Sequence, residues 1–444
     1  MTVGNQLRIQ KPTANLLDWC KKNMVLANPD YAKKVRMHLW LGNTPQKLYL
    51  MQWDGDTLVL PYGCLNTVLS MGECEVINDL PSPKKVDFGC SVPLYDYQEA
   101  AKEAMLKAYY GILQSPAGSG KTQVGIALAA ALGRKTLWLT HTRDLLSQSK
   151  NRAEQYMSPS LTGTITEGRV QIGKAITFAT VQTMCNLDLG RYRDVWDCII
   201  VDECHRVAGT PTSVTQFSKV LNSLAARHKY GLSATVHRAD GMIAATYALL
   251  GQIAYQVPDA AVAEKVMTVS VLPRPTHQGL SREFLDTDGT IIYAKLVNFL
   301  ADRYDRNELI AADLAENRNH YNLILSDRLS HLEYLMKHLP HDLRDQAVMV
   351  DGKMTSKKAK AMREQAIEDM RQGRKRYLFA TYSLAKEGLD IPRLDRLYLA
   401  TPQKDYAVIT QSIGRIARTF EGKAEPVVYD YAVSYTHLTL PTIL

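Results

Sequence analysis

Five short apolar runs divide the middle of the chain: YGILQS, KTLWLTH, AITFATV, WDCIIVDE and KYGLSAT. Longer stretches with helical spacing of apolar residues separate them. Runs this short and this continuously apolar predict strands buried on both faces. Strands alternating with helices predict a parallel sheet in an α/β layer. A break follows at VLPRPTHQG, and then a second series begins: NLILS, AVMVDG, RYLFAT, RLYLAT and PVVYDY. The pattern predicts two α/β domains in tandem. Ahead of them, QKLYLMQWDGDTLVLPYG reads as a hairpin about Asp54-Gly55, a strong turn dipeptide. The Pro-rich polar stretch INDLPSPKKVDFGCSVPL reads as a linker. The expected organisation is therefore a small mixed α+β domain over 1–85, α/β domains over 86–265 and 266–433, and a tail over 434–444.

Composition narrows the class. A length of 444 residues suggests roughly three domains, and 46% hydrophobic with 22% charged residues is ordinary for a soluble globular protein. The formal net charge of +8 permits a polyanionic partner without requiring one. Seven scattered cysteines form no C-x-x-C pair, which argues against zinc or disulfide frameworks and fits a reducing compartment. The N-terminus has no apolar signal region, and IALAAAL is too short to span a bilayer, so a cytoplasmic protein is expected. The tail SYTHLTLPTIL carries no Asp, Glu, Lys or Arg and no periodicity. It resembles translated sequencing-adapter sequence, which places the native end near Val433. A real flexible tail is the alternative.

Chemistry enters at LQSPAGSGKTQ, residues 113–123. Small residues between a strand and a helix let backbone N–H groups approach phosphate oxygens, and the helix N-terminus adds partial positive charge. Pro116, Ala117, Gly118, Ser119 and Gly120 would form the cradle. Lys121 would reach the β- and γ-phosphates of ATP, and the Thr122 hydroxyl would bind Mg²⁺. Ser115 stands where the full motif has Gly. The alternative is a Gly-rich turn capping an ordinary helix. In CIIVDECH, residues 198–205, an apolar strand ends in two carboxylates. Asp202 would hold Mg²⁺ and Glu203 would orient and deprotonate the attacking water. The alternative is a strand end with solvated acids.

DECH, GLSAT (231–235) and QSIGRIAR (411–418), in this order, resemble the motifs of superfamily 2 helicases. LTHTRDLLSQ, ATVQT and FATYSLAKEGLDIP resemble the nucleic-acid-contacting and coupling motifs between them. The resemblance covers about Leu94 to Tyr431. It implies two RecA-like domains with ATP in the cleft between them, ATP hydrolysis, and a DNA partner, whether single-stranded, forked or duplex. Residue by residue, it makes Gln98 an adenine reader, and Gly388, Asp390 and Gln411 nucleotide-side residues. It makes Arg415 and Arg418 arginine fingers, expected to project from one face of a helical turn. Thr142, Arg143, Thr180, Thr381 and Lys386 become candidates for contacts to the nucleic-acid backbone. Ser233 and Thr235 offer hydroxyls to link the carboxylates to the nucleic-acid side.

The stretch after GLSAT, with Arg238 and Asp240, resembles XPB-like and phage UvsW-type DNA helicases, although Ala239 replaces the acid between them. This resemblance fits a bacterial protein or a phage protein in its host's cytoplasm. It also implies a DNA-contacting N-terminal module. Here Trp40, Trp53 and Tyr62 read as core residues, with base stacking as the alternative. The favoured function is an ATP-dependent DNA helicase or translocase in repair, recombination or replication restart. An RNA helicase, a DNA motor subunit of a restriction or defence complex, and a simple ATP-binding switch are the alternatives.

Overall fold

The computed structural model describes residues 1–431 apart from 83–84, 117, 167, 236–241, 264–265, 277–281, 287–290, 352–356, 385–388, 390 and 404. The readings made for Ala117, Arg238, Ala239, Asp240, Lys386, Gly388, Asp390 and the tail lie outside the described residues. Contacts divide the chain into two units, the first holding Met1–Pro116 and Gly120–Ala261, and the second holding the chain from Val262 onward together with Ala117–Ser119.

The first unit is built on an eight-stranded sheet. Its order is Arg169–Gln171, Thr162–Thr166, Ile176–Thr180, Thr136–Thr140, Cys198–Asp202, His228–Ser233, Tyr110–Gln114 and Ile253–Gln256. All neighbours are parallel except the first pair. The five apolar runs are five of its six inner strands, and four of them are buried at every position. Continuous burial on both faces is why they read as uninterrupted apolar runs.

A five-stranded sheet precedes it, with order Gln52–Asp54, Thr57–Pro61, Gln6–Gln10, Thr2–Val3 and Ile77–Asn78. The expected hairpin is present, with Asp54 opposite Thr57 and Gly55 at φ 56° in the turn. This sheet shares its core with the α/β layer. Leu7, Leu58, Leu60 and Tyr62 pack with Met242, Ala245 and Ala248 of the helix Ile243–Leu250, which belongs to the α/β layer. Gly63 lets the two meet: a Cβ there would overlap Gly251 N and lie 2.6 Å from Ala248 O. Two aromatic readings need correction. Tyr62 is core, but Trp40 is 88% and Trp53 52% exposed. Trp53 lies on an edge strand exposed at every position, and Trp40 lies in a loop, so neither has a second layer to cover it.

The second unit holds a six-stranded, all-parallel sheet. Its order is Ser270–Pro273, Val427–Asp430, Arg396–Leu399, Asn322–Ser326, Tyr377–Thr381 and Ala347–Val350. The second apolar series supplies five of these strands. The sixth falls in the stretch that reads as a break in the sequence: Val271, Leu272 and Pro273 of VLPRP are an exposed edge strand against Val428–Asp430. An edge position tolerates the proline.

Candidate nucleotide and nucleic-acid site

Three adjacent strands of the first unit end together. Gln114, Ser233 and Asp202 close Tyr110–Gln114, His228–Ser233 and Cys198–Asp202, and Ser115 N donates to Ser233 O at 3.0 Å. The carboxyl ends of parallel strands are where open α/β sheets place ligands. From the first of these strands the chain passes through the glycine loop into the helix Lys121–Leu132. Gly118 at φ 83° and Gly120 at φ 79° take left-handed conformations that a side chain disfavours. Gly120 also leaves room for Gln98: a Cβ there would overlap Gln98 Nε2 and lie 2.8 Å from Gln123 Oε1.

Gln98 is buried, and its Oε1 accepts from Tyr95 N at 3.0 Å, closing a capping box on the helix Asp96–Ala108. Its amide is thereby fixed beside the loop. Thr122 is the second residue of the loop's helix. Lys121 Nζ turns back to Pro116 O at 3.4 Å.

Asp202 is almost fully buried. Its Oδ2 accepts from the Ser149 hydroxyl at 3.0 Å and its Oδ1 from Glu203 N at 3.0 Å. Burial and the Glu203 charge push its carboxyl up, to about 6, while Ser149 and Lys121 pull it back. A buried carboxylate facing a lysine beside a cradle of backbone N–H groups fits a metal–triphosphate group. Glu203 sits at φ 49°, a left-handed turn that ends the strand. His205 Nδ1 lies 3.3 Å from Glu203 Oε2 and 3.0 Å from Ser233 Oγ. Ser233 Oγ donates to the Thr235 carbonyl at 2.6 Å. His205 therefore stands between Ser233, which it hydrogen-bonds, and the Glu203 carboxylate, and Thr235 enters through its backbone.

Sequence reasoning missed Ser149 and the bridging role of His205. Ser149 did carry a signal, because it shares the buried stripe of its helix with Leu146 and Ala153. A small polar residue on an apolar stripe needs a partner.

Two backbone-contact candidates cap helices at neighbouring strand ends. Thr142 Oγ1 accepts from Leu145 N at 3.3 Å, and Thr180 Oγ1 from Thr183 N at 3.3 Å. Their strands pair with Thr180 opposite Thr140. Arg143 is exposed at the start of its helix. Two helix N-termini thus follow the ends of neighbouring strands.

In the second unit, Thr381 closes its strand with Oγ1 3.0 Å from Ser383 Oγ. Gln411 and Arg415 lie four apart on the helix Tyr406–Ile416 and share a face. Arg418 does not join them on a helical turn. The helix ends at Ile416, Met267 N takes the Ala417 carbonyl at 2.7 Å, and Arg418 bridges to Val266. The antiparallel bridge outcompetes one more helical turn, so the two arginines are presented by different backbone conformations.

The chain is similar to known helicases over both units. The family described as "Type III restriction enzyme, res subunit" matches residues 91–238, and "Helicase conserved C-terminal domain" matches 305–420. "Probable helicase D10" of Escherichia phage T5 is 25% identical over 355 residues, 79% of this chain and 72% of the relative. "DNA 3'-5' translocase XPB2" of Sulfurisphaera tokodaii is 27% identical over 384 residues, 79% of this chain and 83% of the relative. Dbp5 of S. cerevisiae, solved bound to RNA and ADP BeF3, shares the fold with a TM-score of 0.56 at 16% identity, covering 77% and 84% of the two chains. The chain belongs to the superfamily 2 helicases related to XPB, with two tandem RecA-like domains, and is an ATP-hydrolysing helicase. No helix among the described residues is long and apolar enough to cross a membrane.

Proposed function

We propose that this protein is a DNA-directed motor that couples ATP hydrolysis to 3′-to-5′ movement along DNA, separating strands or remodelling DNA intermediates in repair, recombination or replication restart. The observation that carries the reading is the convergence of Gln98, the glycine loop, Lys121 and the Ser149–Asp202 pair at the ends of adjacent strands. The name of the XPB2 relative supports DNA over RNA, and the likeness to Dbp5 is one of fold alone.

In this reading Gln98 hydrogen-bonds the adenine edge and Lys121 binds the β- and γ-phosphates. Mg²⁺ held by Thr122 and Asp202 would neutralise triphosphate charge. Glu203 accepts the proton of the attacking water, with His205 and Ser233 fixing its carboxylate. Arg415 and Arg418 stabilise charge developing on the γ-phosphate, and Gln411 accompanies them. Gly388 and Asp390 belong to the nucleotide side. Thr142, Arg143, Thr180, Thr381 and Lys386 contact the sugar–phosphate track, which makes binding sequence-tolerant and salt-sensitive.

A second reading, a motor that translocates on DNA within a restriction complex without separating strands, is favoured by the description of the family matching 91–238. Strand displacement measured beside translocation on the same DNA decides between them. Displacement of a complementary strand supports the first, and movement without displacement supports the second.

A further inference from the structure

One part of the first unit projects from it without a core. Strands Val25–Ala27 and Lys47–Tyr49 pair as an antiparallel stem. Asn28 locks its mouth: its backbone N–H donates to Gln46 O at 3.0 Å and its side-chain amide to Pro45 O at 2.7 Å. Asn28 Oδ1 also caps the helix Pro29–Arg36, accepting from Asp30 N at 3.0 Å. No residue of that helix is buried. The loop after it folds back, and Lys34 Nζ reaches Thr44 Oγ1 at 2.6 Å. Leu26 and Leu48 of the stem pack on the core below, hydrogen bonds shape the rest, and four apolar side chains beyond the stem are left to solvent. Val35, Met37, Leu39 and Trp40 are all exposed. Four exposed apolar side chains within six residues are more than the singly scattered ones a surface ordinarily carries.

Charge selects the occupant. Residues 28–46 carry Lys33, Lys34 and Arg36 against Asp30 alone, a net of +2, and Lys47 follows at the stem. Ammonium and guanidinium groups on the same projection as an exposed indole match a single nucleic-acid strand, with phosphates for the cations and an unstacked base for the ring. A duplex offers the phosphates but keeps its base faces covered. An uncharged protein surface would leave the cations without a purpose.

The N-terminal part of the chain that carries the projection is joined to the nucleotide-binding layer outside the projection itself. Lys229 is buried in the strand that ends at Ser233, and its Nζ donates to Asn5 O at 3.1 Å and lies 5.0 Å over the Tyr62 ring. The Tyr110 hydroxyl, at the start of the strand that feeds the glycine loop, accepts from Asn66 N at 2.8 Å.

We propose that residues 28–46 form a strand-engaging projection in which Trp40 stacks on a base of single-stranded nucleic acid, carried as one body with the nucleotide-binding layer. This rests on the reading of the protein as a nucleic-acid motor. The test compares wild type and Trp40→Ala in binding a fluorescein-labelled oligo(dT) and a duplex of equal length. Because the indole is exposed, the variant should melt with the wild type. Its affinity for oligo(dT) should fall between about fivefold and 100-fold, with duplex affinity changed less than about twofold. Wild-type affinity for oligo(dT) in the variant overturns the proposal, as does an equal loss on both DNAs. So does a change in sedimentation that shows a second copy on this surface. If wild type binds neither DNA and no polynucleotide stimulates its hydrolysis, the motor reading itself fails. If wild type is stimulated and Trp40→Ala binds normally, only the projection fails.

Discussion

The Ser149 hydroxyl donates to Asp202 Oδ2 at 3.0 Å, tying the helix that starts after Thr142 to the carboxylate at the end of a central strand. If Asp202 holds Mg²⁺, this bond orients it. Ser149→Ala should raise the Mg²⁺ concentration for half-maximal ATP hydrolysis by about 10–100-fold, the usual cost of losing such a support. Ser149→Thr keeps the hydroxyl and should restore most of it. Identical Mg²⁺ titrations for Ala and wild type would remove Ser149 from the site.

Gly120 and Gln98 cannot both keep their places if Gly120 gains a Cβ. Gly120→Ala should weaken ATP binding at least about tenfold, since a left-handed backbone alone costs ~1–2 kcal/mol with a side chain. Adding Gln98→Ala relieves the overlap but not the backbone strain, so only part of the affinity should return. Isothermal titration with a non-hydrolysable ATP analogue reads this.

Glu203→Gln should lower turnover about 10²–10⁴-fold while ATP still binds. Arg418→Ala should also bind ATP but lose stimulated hydrolysis, by about 10³-fold or more if Arg418 acts as a finger. Normal DNA-stimulated hydrolysis by Arg418→Ala would sink the finger assignment.

Sequence pattern showed the α/β layers clearly because their inner strands are buried on both faces. Three of the four edges of the two large sheets were not legible: Arg169–Gln171 is exposed at every position, Ile253–Gln256 is mostly exposed, and Ser270–Pro273 looks like a break, since edge strands need little apolar character. The motif residues of the first unit were legible one by one, but their supports were not. Ser149 and His205 act through bonds to residues 53 and 28 positions away. No local spacing encodes such distances. Arg418 was misplaced for a similar reason, because a tertiary bridge to Val266 ends the helix that its spacing suggests.

Burial lowers the Lys229 ammonium to about 7, from an ordinary value of 10.5. The unfolded chain then binds the extra proton between those values, so this group makes stability rise with pH from about 7 toward 10.5. Below about 7 both states are protonated and its penalty is fully present. Compared with Lys229→Met, wild type should gain stability from pH 7 to 9, with a slope of at most ~1.4 kcal/mol per pH unit for one proton. Parallel pH profiles in urea denaturation would contradict a buried, depressed lysine.

The central claim is that polynucleotide drives the Lys121 and Asp202 site. The most direct measurement is the rate of ATP hydrolysis with no nucleic acid, with single-stranded, duplex and forked DNA, and with RNA, for wild type and Lys121→Ala. At least about tenfold stimulation by DNA, exceeding that by RNA and absent in Lys121→Ala, is the expected result. Hydrolysis indifferent to every polynucleotide, or stimulated more by RNA than by DNA, would contradict it.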